Sequence, residues 1–114
     1  MHALIIEDQQ IFASIIEFVL RDYGFDSFHV AASKEEAVMA AERRRPDLIT
    51  ADVLLEEGCG IEAVDAISAW QSVPVLFITG AAAEVRDRLR GTPVLDKPFS
   101  PETLAYAVTA TLAR

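Results

Sequence analysis

The chain has 114 residues, the size of one ordinary domain built on one core. Hydrophobic residues at 52% and charged residues at 25% give a globular composition and exclude a disordered one. A net charge of -8 and a pI of about 4.6 argue against nucleic acid as a direct partner, which would need a basic face, and suit divalent cations and basic partner surfaces.

The single cysteine, Cys59, excludes an internal disulfide framework and fits a reducing cytoplasm. The opening MHALIIEDQQ lacks the basic region, long apolar stretch and small-residue cleavage site of a signal peptide. No apolar run approaches the roughly 20 residues that span a bilayer, so no membrane insertion is expected.

Short apolar runs alternate with helical patterns. Ala3 to Ile6 reads as a first strand, stopped by Glu7 and Asp8. Ile11, Ile15, Phe18 and Val19 then recur at helical spacing, and Tyr23-Gly24 ends that helix. Phe25 to Ala31 reads as a weaker second strand. Ser33 with Glu36 is a capping-box pattern that opens a helix to about Arg44, and Pro46 lies just beyond. Asp47 to Asp52 is a third strand, followed by the Gly58-Cys59-Gly60 loop and a helix from about Ile61 to Trp70. Pro74 to Thr79 is a fourth strand stopped by Gly80, Ala81 to Arg90 a short helix, and Thr92 to Leu95 a short fifth strand. Ser100-Pro101 is an N-cap with proline at the first helical position, opening a helix that runs almost to Arg114. Five strand–helix units with near-continuous apolar strands predict an α/β domain with a parallel sheet covered on both faces. Residues 1–114 are expected to form that one domain, with no output domain in this chain.

The informative feature is where the polar residues fall. Glu7 and Asp8 end the first strand, Asp52 the third and Thr79 the fourth, and Lys97 follows the fifth. In a parallel sheet all these ends lie on one edge, outside which α/β folds place their ligand sites. Three carboxylates at close range repel one another, so a cation must offset them. Magnesium suits oxygen donors that include only a few carboxylates. Lys97 adds a mobile positive charge and Thr79 a hydroxyl donor. An aspartate in such a setting is a competent nucleophile toward phosphorus and gives an aspartyl-phosphate.

The stretches LIIEDQ, PDLITAD, VPVLFITG and DKPF resemble the receiver domain of two-component response regulators, over essentially the whole chain. The resemblance implies a flavodoxin-like (βα)5 fold with strand order 2-1-3-4-5. It implies that Glu7 and Asp8 hold magnesium, with Asp52 and the backbone carbonyl of Leu54. It implies that Asp52 is the phospho-acceptor, Thr79 the switch hydroxyl and Lys97 the contact to the phosphoryl group, with a cis peptide at Lys97-Pro98. The implied donor is a histidine kinase or a histidine phosphotransfer protein. The helix after Asp8 and the loop after Lys97 flank the site as its docking surface. Receivers often pair through the face of helix four and strand five, which here includes Arg86, Asp87, Arg88 and Arg90, so a homodimer is a further expectation. The segment ADVLLEEGCGIEAV, with VPVLFIT, looks most like the receivers of alphaproteobacterial general-stress regulators.

The chain departs from the family pattern at three places. Leu55-Glu56 replaces methionine-proline after the acceptor, Leu54 stands where a polar residue is common, and Val94 takes the place of the switching tyrosine or phenylalanine three residues before Lys97. A degenerate receiver that binds partners without phosphorylation is the alternative that Leu54 and Val94 favour; the complete set of Glu7, Asp8, Asp52, Thr79 and Lys97 opposes it. A magnesium phosphohydrolase of the haloacid-dehalogenase type would need its nucleophile after the first strand in an Asp-x-Asp pattern, where this chain has Glu7-Asp8. A flavin binder would need a phosphate-cradling loop there. Beyond slow self-phosphorylation and self-dephosphorylation at Asp52, no enzymatic turnover is expected. Asp47, Asp96, Cys59, His2 and His29 are left outside the site, and Trp70 and Phe77 are read as packing residues.

Overall fold

A computed structural model describes residues 1–114. The strands are β1 (His2–Ile6), β2 (Ser27–Ala31), β3 (Leu48–Ala51), β4 (Val75–Thr79) and β5 (Val94–Asp96). The helices are α1 (Gln10–Tyr23), α2 (Lys34–Arg43), α3 (Gly60–Ser68), α4 (Ala82–Arg88) and α5 (Pro101–Leu112). All strand pairs are parallel, in the order β2-β1-β3-β4-β5. This is the flavodoxin-like arrangement that the resemblance implied.

The central strands are apolar throughout because helices cover both their faces. Alternate residues feed two cores. Leu4, Ile6, Ile49, Ala51 and Phe77 pack with Ala37 and Ala41 of α2, Ile61, Val64 and Ile67 of α3, and Val85 of α4. Ala3, Ile5, Leu48, Leu76 and Ile78 pack with Ile16 and Leu20 of α1 and with Leu104 and Val108 of α5.

Several boundaries move. The second strand begins at Ser27, because Phe25 is spent plugging the core under α1 while its amide bonds the Leu20 carbonyl. The fifth strand is Val94–Asp96 instead of Thr92 to Leu95, because the Phe77 amide already takes the Pro93 carbonyl and pairing then runs to Thr79 opposite Asp96. The apolar repeat that marks α1 as a helix lies mostly on the face turned away from the sheet. Ala13, Ile16, Val19 and Leu20 are buried, whereas Ile11 is 68% and Phe18 72% exposed. Trp70 is half exposed and does not pack as expected; Phe77 is fully buried and does.

The caps follow the sequence. The Ser33 hydroxyl accepts from the Glu36 amide at 3.2 Å, while the Glu36 carboxylate takes the Ala32 amide, one residue short of a full capping box. Ser100 and Thr103 form the reciprocal box, with Pro101 at the first helical position.

Thr50, in the middle of β3, is 1% exposed and its hydroxyl has no hydrogen-bond partner. Burying an unpaired hydroxyl costs free energy that an isosteric methyl avoids. Thr50→Val should therefore raise the unfolding free energy by about 1 kcal/mol, measured by chemical denaturation. A loss of stability would mean that the hydroxyl has a partner.

Candidate functional site

The carboxyl ends of β1, β3, β4 and β5 bring Glu7, Asp52, Thr79 and Lys97 to one edge of the sheet. Glu7 is 2% and Asp52 5% exposed. Two carboxylates at that depth need a cation or protons. Lys97 supplies the cation: its Nζ donates to Glu7 Oε1 at 2.6 Å and to Asp52 Oδ2 at 2.8 Å. The second oxygen of each is also used, Glu7 Oε2 by the Gln9 amide at 3.1 Å and Asp52 Oδ1 by the Leu54 amide at 3.2 Å.

Burial pushes Glu7 above the usual carboxylate range, and the hydrogen bonds from Lys97 and Gln9 offset only part of this. For Lys97, burial works to lower its value, but the hydrogen bonds and charges of Asp52 and Glu7 together outweigh it and leave the ammonium above its ordinary range. Burial thus works against the charged form of Glu7, while its two carboxylate partners favour the charged form of Lys97.

The third expected carboxylate is not gathered with the other two. Asp8 turns toward the β3–α3 loop, where its Oδ2 accepts from the Glu56 amide at 2.7 Å. No three acidic, histidine or cysteine side chains lie at metal-ligand spacing. The physical reason is repulsion: one ammonium satisfies two carboxylates, and a third finds a backbone donor elsewhere. Asp8 nonetheless keeps one carboxylate oxygen free of hydrogen bonds, and carboxylate oxygens are the donors a hard divalent cation takes.

Thr79 reaches the same edge, fully buried, but makes no hydrogen bond with Asp52. Its hydroxyl accepts from the Ala81 amide at 3.1 Å, and its carbonyl takes the Lys97 amide at 3.1 Å. The Lys97-Pro98 bond is cis, as the resemblance implied. Asp96 points away and pairs with Arg86 at 3.2 Å, outside the site as expected.

Asp52 and Lys97 line an open cleft of about 340 Å³ with Gln9, Phe12, Leu54, Gly80 and Pro98. Gly80 leaves it unobstructed, since a Cβ there would meet nothing within 4 Å. Gly60 does the opposite work. A Cβ at that position would stand 1.7 Å from the Asp52 carbonyl oxygen, so the loop after β3 folds onto the backbone of Asp52 only because residue 60 has no side chain.

Two residues of this site carried no signal in the strand-end pattern. The Phe12 ring on α1 lies with its centroid 4.0 Å from Lys97 Nζ, and Phe99 backs it at 5.9 Å between centroids. Phe12 could have been found only by noting that it lies four residues beyond Asp8, in the first turn of the next helix.

The family model described as "Response regulator receiver domain" matches residues 3–109. The chain belongs to the response regulator receiver family. As a receiver it is 33% identical over 116 residues to the transcriptional regulatory protein YvrH of Bacillus subtilis, covering 97% of this chain and 48% of that protein. It is 34% identical over 113 residues to the phyllosphere-induced regulator PhyR of Methylorubrum extorquens, covering 96% of this chain and 42% of that one. The solution structure of the PhyR receiver domain of Erythrobacter litoralis superposes with a TM-score of 0.91 at 32% identity, over 98% of this chain and 89% of that one. The PhyR matches agree with the narrower resemblance to general-stress receivers. The chain spans about half the length of the curated relatives it matches. Receivers generally bind magnesium at their acidic pocket and interact with histidine kinases and effectors. No helix of this receiver is long and apolar enough to cross a membrane.

Proposed function

We propose that Asp52 accepts a phosphoryl group from a partner phosphohistidine and that the modified receiver changes its contacts with a downstream protein. The observation that carries this reading is the Asp52 carboxylate itself: buried at a strand end, held from both oxygens, paired with Lys97 and opening onto an unobstructed cleft.

An oxygen of Asp52 attacks phosphorus, the P–O bond forms as the P–N bond breaks, and the donor imidazole leaves and takes a proton from water. Lys97 already stands against the attacked carboxylate, so its ammonium can follow the charge that develops on the phosphoryl oxygens. Glu7, Asp8 and Asp52, with the Leu54 carbonyl, would hold magnesium, which supplies charge neutralisation during transfer. Once phosphorylated, residue 52 carries a charge of about -1.5 to -2 in place of the single negative charge of the carboxylate, and Lys97 and the Thr79 hydroxyl are the groups that can turn toward it. Self-dephosphorylation by water makes the domain a timer for its own signal rather than a turnover enzyme. A cytoplasmic kinase or phosphotransfer protein is the natural donor.

The exposed apolar stripe of Ile11, Ile15 and Phe18 supports α1 as the donor's docking face, since a contiguous apolar patch beside an open cleft marks a contact surface. On the other side, Val94 lines an apolar groove of about 530 Å³ with Leu76, Leu95 and Tyr106, and Tyr106 is 79% exposed. That groove supports the β5–α5 side as the face that meets a second copy or an effector. Arg86 and Arg88 are engaged within the chain, to Asp96 and Glu84, and contribute less to it.

Incubation with acetyl phosphate and magnesium should add one phosphoryl group by intact mass, and Asp52→Asn should remove the gain entirely. No gain in the wild-type chain would leave the degenerate, phosphorylation-independent receiver as the better reading.

A further inference from the structure

Lys97 raises a question that its two ion pairs do not answer. Its ammonium has three N–H donors. Two are spent on Glu7 and Asp52, at 2.6 and 2.8 Å, and the hydrogen bonds of the structure include no third acceptor. The Lys97 side chain is 10% exposed, so water is largely excluded from it. What stands against the ammonium instead is the Phe12 ring, 4.0 Å away at its centroid. That separation is well inside the roughly 6 Å over which a cation is attracted to an aromatic face, and the attraction grows where water is excluded.

The ring is braced. Phe99, two residues after Lys97, meets Phe12 at 5.9 Å with the planes tilted by 40°. Phe99 itself packs on the core between the sheet, α1 and α5. The aromatic pair therefore ties the first turn of α1 to the loop that carries Lys97.

We infer that Phe12 is a positioning residue for phosphoryl transfer, its ring seating the Lys97 ammonium at the mouth of the Asp52 cleft. This rests on the reading of Asp52 as the acceptor. The attraction of a ring for a cation does not depend on which oxygens the cation also bonds. Lys97 can thus exchange a carboxylate oxygen for a phosphoryl oxygen by rotating its N–H groups, without leaving its seat. A carboxylate in place of Phe12 would compete for the ammonium, and an aliphatic side chain would let it swing and admit water.

The test uses the whole chain with Phe12→Leu, which keeps an apolar side chain, and Phe12→Tyr, which keeps the ring and places its added hydroxyl in a cleft open to water. In metal-free protein, the Lys97 Hε protons should show upfield ring-current shifts that vanish in Phe12→Leu and persist in Phe12→Tyr. Phosphorylation by acetyl phosphate with magnesium should slow roughly fivefold in Phe12→Leu and stay within twofold of wild type in Phe12→Tyr. Unshifted Hε protons in the wild type overturn the inference, as does an unchanged rate in Phe12→Leu or a Phe12→Tyr rate as low as that of the leucine variant. A wild type that takes up no phosphate sinks the acceptor reading and this inference together; a wild type that reacts normally beside an equally fast Phe12→Leu sinks this inference alone.

Discussion

Lys97→Met should cost the domain about 3 kcal/mol of stability at pH 7.5 and clearly less at pH 5. The ammonium is the only cation within reach of two carboxylates that are 2% and 5% exposed. Removing one partner of a buried ion pair leaves the other charge unpaired, which is costlier than never having built the pair. The pH dependence follows from Glu7. Its folded value is raised above its unfolded value by burial, and in the variant the offsetting hydrogen bond and charge of Lys97 are gone, so it is raised further. A raised carboxylate favours folding while it is protonated. Its penalty is absent below the unfolded value of about 4.3 and grows as pH rises through the folded one. The wild-type lysine behaves oppositely: its folded value is raised, so its contribution is complete below about 10.4 and is lost only at more alkaline pH. The wild type should therefore show no Lys97-linked change between pH 5 and 8. Adding Glu7→Gln to the variant should return part of the loss, because one of the two unpaired charges is then removed. Urea denaturation at the two pH values measures all of this. A pH-independent loss, or one below about 1 kcal/mol, would mean that the carboxylates find water when the lysine leaves.

Gly60→Ala sets two effects against each other. Residue 60 opens α3, and helix propensity alone makes alanine better than glycine by up to about 1 kcal/mol. The added methyl, however, would stand 1.7 Å from the Asp52 carbonyl oxygen and 2.7 Å from its carbonyl carbon. Both are backbone atoms at the end of a central strand, and neither can move aside as a side-chain tip can. Overpacking costs about 1–3 kcal/mol when side chains can yield and more against fixed backbone, so a net loss of about 2 kcal/mol is expected. Asp52 should be displaced with it, so the remaining folded protein should also accept phosphate more slowly. Gly80→Ala is the matched control. It lies beside the same cleft with nothing within 4 Å of a Cβ, and should change stability by less than about 0.5 kcal/mol. Equal effects at the two glycines would contradict the steric account.

The fold was legible because its pattern is redundant. Four strand ends each carried a polar residue where an apolar run stopped, and the parallel sheet then required those residues to share an edge. Glu7, Asp52, Thr79 and Lys97 do share it. Asp8 illustrates what such a pattern cannot show. Its backbone position was right, but the direction of its side chain is decided by an amide of Glu56, a residue 48 positions away. Phe12 was missed for a related reason. A phenylalanine in an apolar helix reads as core, and the contact of Phe12 with Lys97 spans 85 residues of sequence. Helix α1 shows a further limit of such patterns. Two apolar stripes run along that helix, Ala13, Ile16, Val19 and Leu20 on one side and Ile11, Ile15 and Phe18 on the other. Periodicity reports that stripes exist but not which one the sheet covers, and the bulkier stripe is the one left in water. Strands β2 and β5 shifted because they are edges. With a neighbour on one side only, their pairing ends where the partner strand dictates.

Position 52 as the acceptor can be read out chemically. Treating the acetyl-phosphate-loaded chain with borohydride reduces an acyl phosphate to the alcohol, releases phosphate and converts the modified aspartate to homoserine. Peptide mapping should find homoserine at position 52 and nowhere else, in proportion to the phosphate taken up. Homoserine at Asp8 or any other aspartate, a reduced glutamate, or phosphate uptake that leaves Asp52 intact, would contradict the assignment.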